Sequence, residues 1–281
     1  MFGKCLKYEL RAYSRLLVPT FIVLMIVGVL MSVAVGVLTR LVAANGNELI
    51  QAIAAILLYF IIMAVYLSLF IIPVMVFVLT VRRFYKSFFT DEGYLTFTLP
   101  VSVDCHITSK LTAALIADIF GVITAVLYVG IIALGAVISN FSAVSDFFTG
   151  MGFGELFEML AYFGLDSVIS LLLVIMLFVL SALANYLLLY LSISFGCMLA
   201  KKHRFIVCGA CYLGVNTVVS TIGSIVSTIL TFVMSAAIIQ MQEAGLIINI
   251  ILAVLSALIA VEAVACYFIT RYILKNKVNL D

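Results

Sequence analysis

Six long apolar runs separated by short polar connections dominate the chain. The runs are Leu16–Leu38, Leu49–Thr80, Ile107–Ser139, Gly164–Leu199, Phe205–Ala237 and Leu246–Thr270. Each exceeds the roughly 20 apolar residues that a helix needs to cross a bilayer. The runs are continuously apolar, whereas barrel strands alternate at every residue. Only hydrogen-bonded helices and closed barrels span lipid, so the pattern predicts an all-α polytopic membrane protein with six transmembrane helices. Residues 1–281 then form a single transmembrane domain. Gly164–Leu199 would be about 54 Å long at about 1.5 Å per residue, against a hydrocarbon core of about 30 Å. Such a helix tilts, breaks or projects beyond the lipid. Pro73, inside the second run, predicts a kink.

Composition removes the soluble alternatives. The 281 residues are 66% hydrophobic and 10% charged, more apolar surface than a soluble globule can bury. A net charge of +2 is too small to argue for a nucleic-acid partner. The few charges set an orientation. Fourteen of the 15 bases fall at the N-terminus, in the second and fourth connections with their flanks, or at the C-terminus, leaving Arg40 alone opposite. Glu48, Asp146, Glu155, Glu158 and Glu243 share its side. The positive-inside rule then puts both termini in the cytoplasm, which requires an even number of spans. The first run is too long for a signal-peptide core and lacks a small-residue cleavage site after it, so it reads as a retained helix. All six cysteines fall at or near the cytoplasmic side, away from where disulfides form. Cys208-Gly-Ala-Cys211 has redox or zinc spacing without a second ligand pair, and reads as two small packing residues.

The polar remainder holds the candidate chemistry. On residues 2–15, Phe2, Leu6, Leu10 and Tyr13 occupy one helical face and Lys4, Lys7, Arg11 and Arg15 the other. This predicts either an interfacial amphipathic helix with its bases on anionic headgroups or a plain positive flank of the first span. Asp118 and Glu262 lie within predicted spans, about 12 and 13 Å from Lys110 and Arg271. They are either a substrate- or proton-contacting pair or helix-bonded, snorkelling carboxylates. A small polar stripe, including Thr217, Ser220, Ser224, Ser227 and Thr231, runs along the fifth span. It suits tight helix packing, a subunit interface included, or a polar path. No phosphate loop and no His-Glu-x-x-His occur, and the two histidines, His106 and His203, do not suggest a metal site. The glycine-rich run Gly150-Met-Gly-Phe-Gly154 lacks the preceding strand and the spacing of a dinucleotide fingerprint.

The longest cytoplasmic connection, residues 81–106, is chemically mixed. Residues 82–92 have helical propensity, Gly93 breaks it, and Pro100, Ser102 and Asp104 mark the start of the next helix. Phe88, Phe89 and Tyr94, read as exposed beside Asp91 and Glu92, suit either a groove on another protein or the headgroup layer.

The segment Phe84-Tyr-Lys-Ser-Phe-Phe-Thr-Asp-Glu-Gly-Tyr-Leu-Thr-Phe-Thr-Leu-Pro-Val-Ser102 resembles the loop between spans two and three of bacterial ATP-binding-cassette exporter permeases of the type 2 class, with a Gram-positive character. The six-span layout with both termini inside is similar too. The resemblance implies a non-catalytic permease subunit in a bacterial cell membrane. It would pair with a separate ATP-binding-cassette ATPase, which holds ATP and Mg, and with a second permease copy. A coupling helix in the loop would seat in the ATPase, with Phe88, Phe89, Thr90, Asp91, Glu92, Gly93, Tyr94 and Leu95 as contacts. The re-entrant hairpin common before the last span of that family is not evident in Ile238–Gly245. A competing expectation is an ATP-independent transporter or channel that uses Asp118 and Glu262.

Overall fold

A computed structural model describes residues 2–43, 47–90, 93, 98, 101–139, 165–199, 204–238 and 244–276. The described elements are all helices: α1 (Phe2–Ala43), α2 (Glu48–Leu69), α3 (Ile71–Phe89), α4 (Val103–Ser139), α5 (Leu165–Leu199), α6 (Arg204–Ile238) and α7 (Ala244–Asn276). Six stretches among the described residues are long and apolar enough to cross a membrane, because α2 and α3 together make one of them, Glu48–Phe89. The chain is thus an all-α, multi-pass membrane protein.

Three helix ends differ from expectation. The amphipathic residues 2–15 are not a separate element, because α1 runs unbroken from Phe2 to Ala43 with Pro19 inside it. The kink expected at Pro73 is a break. α2 stops at Leu69, Phe70 caps it with φ −74° and ψ −15°, and α3 begins at Ile71. Proline has no N–H to donate to the carbonyl four residues back, here Leu69, and its ring clashes with that carbonyl. Finally, α3 continues past Thr80 to Phe89, so the helix expected over 82–92 is, as far as Phe89, the end of the second span rather than a separate element.

The chain divides into two compact units. The α1–α2 unit comprises Lys7–Leu79 and Ile116–Leu160. Tyr128 is its organising side chain, 2% exposed. Its hydroxyl hydrogen-bonds Ser68 Oγ at 2.7 Å, and its ring lies against Gly28, where an added Cβ would come within 2.9 Å of it. Phe21 and Phe120 pack with ring centroids 5.5 Å apart. Arg40, the base predicted alone on its side, donates from Nη2 to the carbonyl of Ile138 at 3.2 Å, meeting one of the four carbonyls that the end of α4 leaves without helical partners.

The α5–α7 unit comprises Met1–Leu6, Thr80–Leu115 and Ala161–Asp281. Its core runs along α5, where residues 186–191 are all buried, and joins Phe84, Phe88, Ile107, Ala114, Cys266 and Ile273. α5 packs most extensively on α7 and next on α6. Gly196 allows the α6 approach: a Cβ there would stand 2.5 Å from Cys208 Cα and 2.8 Å from its N. These are backbone atoms, so the helices themselves would have to separate. Gly196→Ala is expected to destabilise the protein by about 1–3 kcal/mol, the usual cost of overpacking. Thermal unfolding in detergent checks this, and a midpoint equal to that of the parent would contradict the close approach.

Candidate functional site

The region between α3 and α4 is where the sequence concentrates its mixed chemistry. α3 ends with Thr90 Oγ1 donating to the carbonyl of Lys86 at 2.6 Å, and the N–H of Gly93 donates to the carbonyl of Thr90 at 2.7 Å. α4 begins at a serine cap: Ser102 Oγ accepts from the N–H of Cys105 at 3.4 Å, satisfying one of the orphan donors of the first turn. This bears out the expected helix start at Ser102.

Both sides of the connection are fastened into the α5–α7 unit. On the α3 side, Phe84 stacks on Tyr190 of α5, centroids 4.1 Å apart and planes 6° from parallel. Phe88 lies 5.1 Å from Phe84 and edge-on to His106 at 6.4 Å. Lys110 of α4 is 4% exposed. Its Nζ donates to Ser87 Oγ at 2.8 Å and lies 5.7 Å from the Phe88 ring centre, within cation–π range. On the α4 side, Asp104 Oδ1 accepts from Arg271 Nε at 2.7 Å and from the Tyr267 hydroxyl at 2.8 Å. The carboxylate also sits in the first turn of α4, where the helix dipole favours it. Asp104 therefore ties the start of α4 to α7.

The predicted contact residues divide accordingly. Phe88, expected to be exposed, is fully buried and has no surface to offer a partner. The reason is its position four residues after Phe84, which places both rings on one face of α3, and that face is covered by α4 and α5. Phe89 and Thr90 are half-buried and Gly93 is buried. Asp91, Glu92, Tyr94 and Leu95 lie outside the described residues. Lys4, Lys7, Arg11 and Arg15 are all exposed; on the opposite face Tyr13 is buried and Leu6 and Leu10 are half-buried, while Phe2 is exposed.

The remaining candidates fall in different elements. Asp118, in the α1–α2 unit, and Glu262, in the α5–α7 unit, are each half-buried. Thr217, Ser220 and Ser224 are exposed and Ser227 is half-buried among the described residues. Their hydroxyls donate to carbonyls of their own helix, Thr217 to Leu213 at 2.6 Å and Ser224 to Thr221 at 2.9 Å. The side chain of Thr231 lies outside the described residues. Cys208 is buried and its sulfur is 3.6 Å from that of Cys197. No cluster of three or more His, Cys, Asp or Glu that could hold a metal occurs among the described residues.

The chain matches no family model, no curated protein and no solved structure.

Sequence reasoning missed the fastening residues. Arg271 served only as a topology marker and Asp104 only as a dipole partner. Tyr267 and Asp104 are 163 positions apart, and no local pattern links them. Phe84 and Phe88 did carry a signal, the four-residue aromatic spacing that predicts a shared face.

Proposed function

We propose that this chain is the membrane-spanning permease subunit of an ATP-binding-cassette exporter that moves a hydrophobic or peptide cargo. The observation that carries this reading is the grouping of the α3–α4 connection's flanks, Thr80–Leu115, with the last three helices in one compact unit. A socket for an ATPase needs such a mount. Force applied to a floppy connection would be lost, whereas force applied here passes through Phe84 and Phe88 to α5 and through Asp104 to α7. The resemblance of Phe84–Ser102 to the exporter permease loop gives the partner its class. The chain contains no phosphate loop, so in this reading ATP and Mg bind a separate ATPase. A second permease copy completes the assembly, both termini are cytoplasmic, and the membrane is a bacterial cell membrane.

Purification from native membranes in mild detergent tests the proposal. A phosphate-loop ATPase should co-purify, and Glu92→Ala with Tyr94→Ala should release it while leaving the permease folded. Recovery of the permease without any such ATPase would overturn the reading. Proton-gradient-driven transport by the purified chain, abolished by Asp118→Asn, would favour an ATP-independent carrier instead.

A further inference from the structure

The last turns of α7 hold a concavity of about 530 Å³ lined by Phe268, Ile269, Arg271, Tyr272, Lys275 and Asn276. Among the described lining residues both charges are positive. Asp104 takes the Nε–H of Arg271, but a guanidinium has four further N–H donors in its planar fork, and the Arg271 side chain remains 42% exposed. Lys275 is exposed beside it.

A column of exposed side chains leads away from this basic end. Tyr272, Phe268, Val264, Val261 and Val254 succeed one another at intervals of four, four, three and seven residues, and all are exposed. Those intervals keep them on one face of a helix. The column is about 27 Å long at about 1.5 Å per residue, while one leaflet contributes about 15 Å of hydrocarbon. Along the helix the Tyr272 phenol lies between Arg271 and Lys275, at the depth where Tyr is favoured in a bilayer.

We propose that this face of α7 binds an anionic phospholipid from the leaflet in which α7 ends. The phosphate lies against the Arg271 fork and Lys275, and the acyl chains run along Phe268, Val264 and Val261. Arginine suits phosphate through paired N–H donors, and lysine adds a point charge. The charge complementarity and the apolar column, which covers the depth of one leaflet by Val261, about 16 Å from Tyr272, single out a lipid over a soluble anion. Bound phosphate would share Arg271 with Asp104, so the lipid also bears on the tie between α4 and α7. The inference rests on α7 spanning the membrane and is independent of any ATPase.

The test is native mass spectrometry of the full chain released from vesicles of phosphatidylglycerol or phosphatidylcholine. Phosphatidylglycerol should be retained in preference. Lys275→Gln should lower its retention about fivefold, the effect of one cation near an anionic surface, and Lys275→Arg should restore it. Millimolar inorganic phosphate should not displace the lipid. Equal retention of the two lipids, or indifference to Lys275→Gln, would overturn the proposal. Displacement by phosphate would instead mark a soluble-anion site. Loss of dimer in Lys275→Gln with lipid retention unchanged would mark the face as a contact between chains. Both results also overturn it.

Discussion

Phe88→Ala is expected to remove most of the folded protein from the membrane fraction. The ring is fully buried and is shared by Phe84, His106 and Lys110. Truncating a buried Phe costs about 3–5 kcal/mol, because the apolar transfer energy is lost and a cavity remains. Lys110, 4% exposed, would also lose the ring face beneath its ammonium, worth up to about 2 kcal/mol when desolvated. A fall of roughly 10 °C in the apparent melting temperature in detergent follows if each kcal/mol shifts it by about 2–4 °C. Phe88→Leu should retain most of the stability, since it keeps apolar volume. An exposed docking residue would behave oppositely: Phe88→Ala would leave the melting temperature unchanged and weaken only partner binding. Fluorescence-detected size exclusion after heating separates the two outcomes.

Replacing Asp104 by Asn should affect function more than folding. The carboxylate accepts from both Arg271 and Tyr267, and Asn keeps its shape while losing its charge. The pair is partly open to solvent, its side chains 42% and 35% exposed, so the stability loss should be modest, about 1 kcal/mol. In the proposed permease, however, this contact hands movement of the connection to α7. Asp104→Asn and Arg271→Gln should each lower transport about tenfold, equivalent to about 1.4 kcal/mol, while ATP hydrolysis by the bound ATPase persists. The double variant should be little worse than either single one, because contacting partners share a coupling energy of about 0.5–3 kcal/mol. Additive losses in vesicle transport assays would show that the two residues act separately.

The helices were legible because long apolar runs in lipid admit few other structures. Their ends were less so. α3 passes the last apolar residues and continues to Phe89 because Phe84 and Phe88 join a core with Tyr190 and Ile107, a tertiary gain that hydropathy does not register. The α6 stripe was legible as a pattern, but Thr217 and Ser220 are exposed among the described residues, so the pattern alone could not say what the stripe meets. The tie from Asp104 to Arg271 was least legible. Each residue satisfies a simple local role, at a helix start or in a basic C-terminal flank, and only folding brings them within 2.7 Å. A disturbance at Pro73 was legible because proline acts through its own backbone, but not its extent: Pro19 lies inside an unbroken α1, whereas α2 ends at Leu69 and α3 begins at Ile71.

The unbroken α1 has a geometric consequence for how this chain can vary. Its 42 residues make a rod of about 63 Å at about 1.5 Å per residue, with the bases of its first turns and the contacts of Phe21 and Gly28 on the same shaft. Deleting one residue between Arg15 and Phe21 would turn the basic face by about 100° relative to those contacts, whereas inserting four would leave it within about 40° of its original bearing. Length changes here are therefore tolerable in whole turns rather than in single residues, and the azimuth of the cationic face is set by packing several turns away.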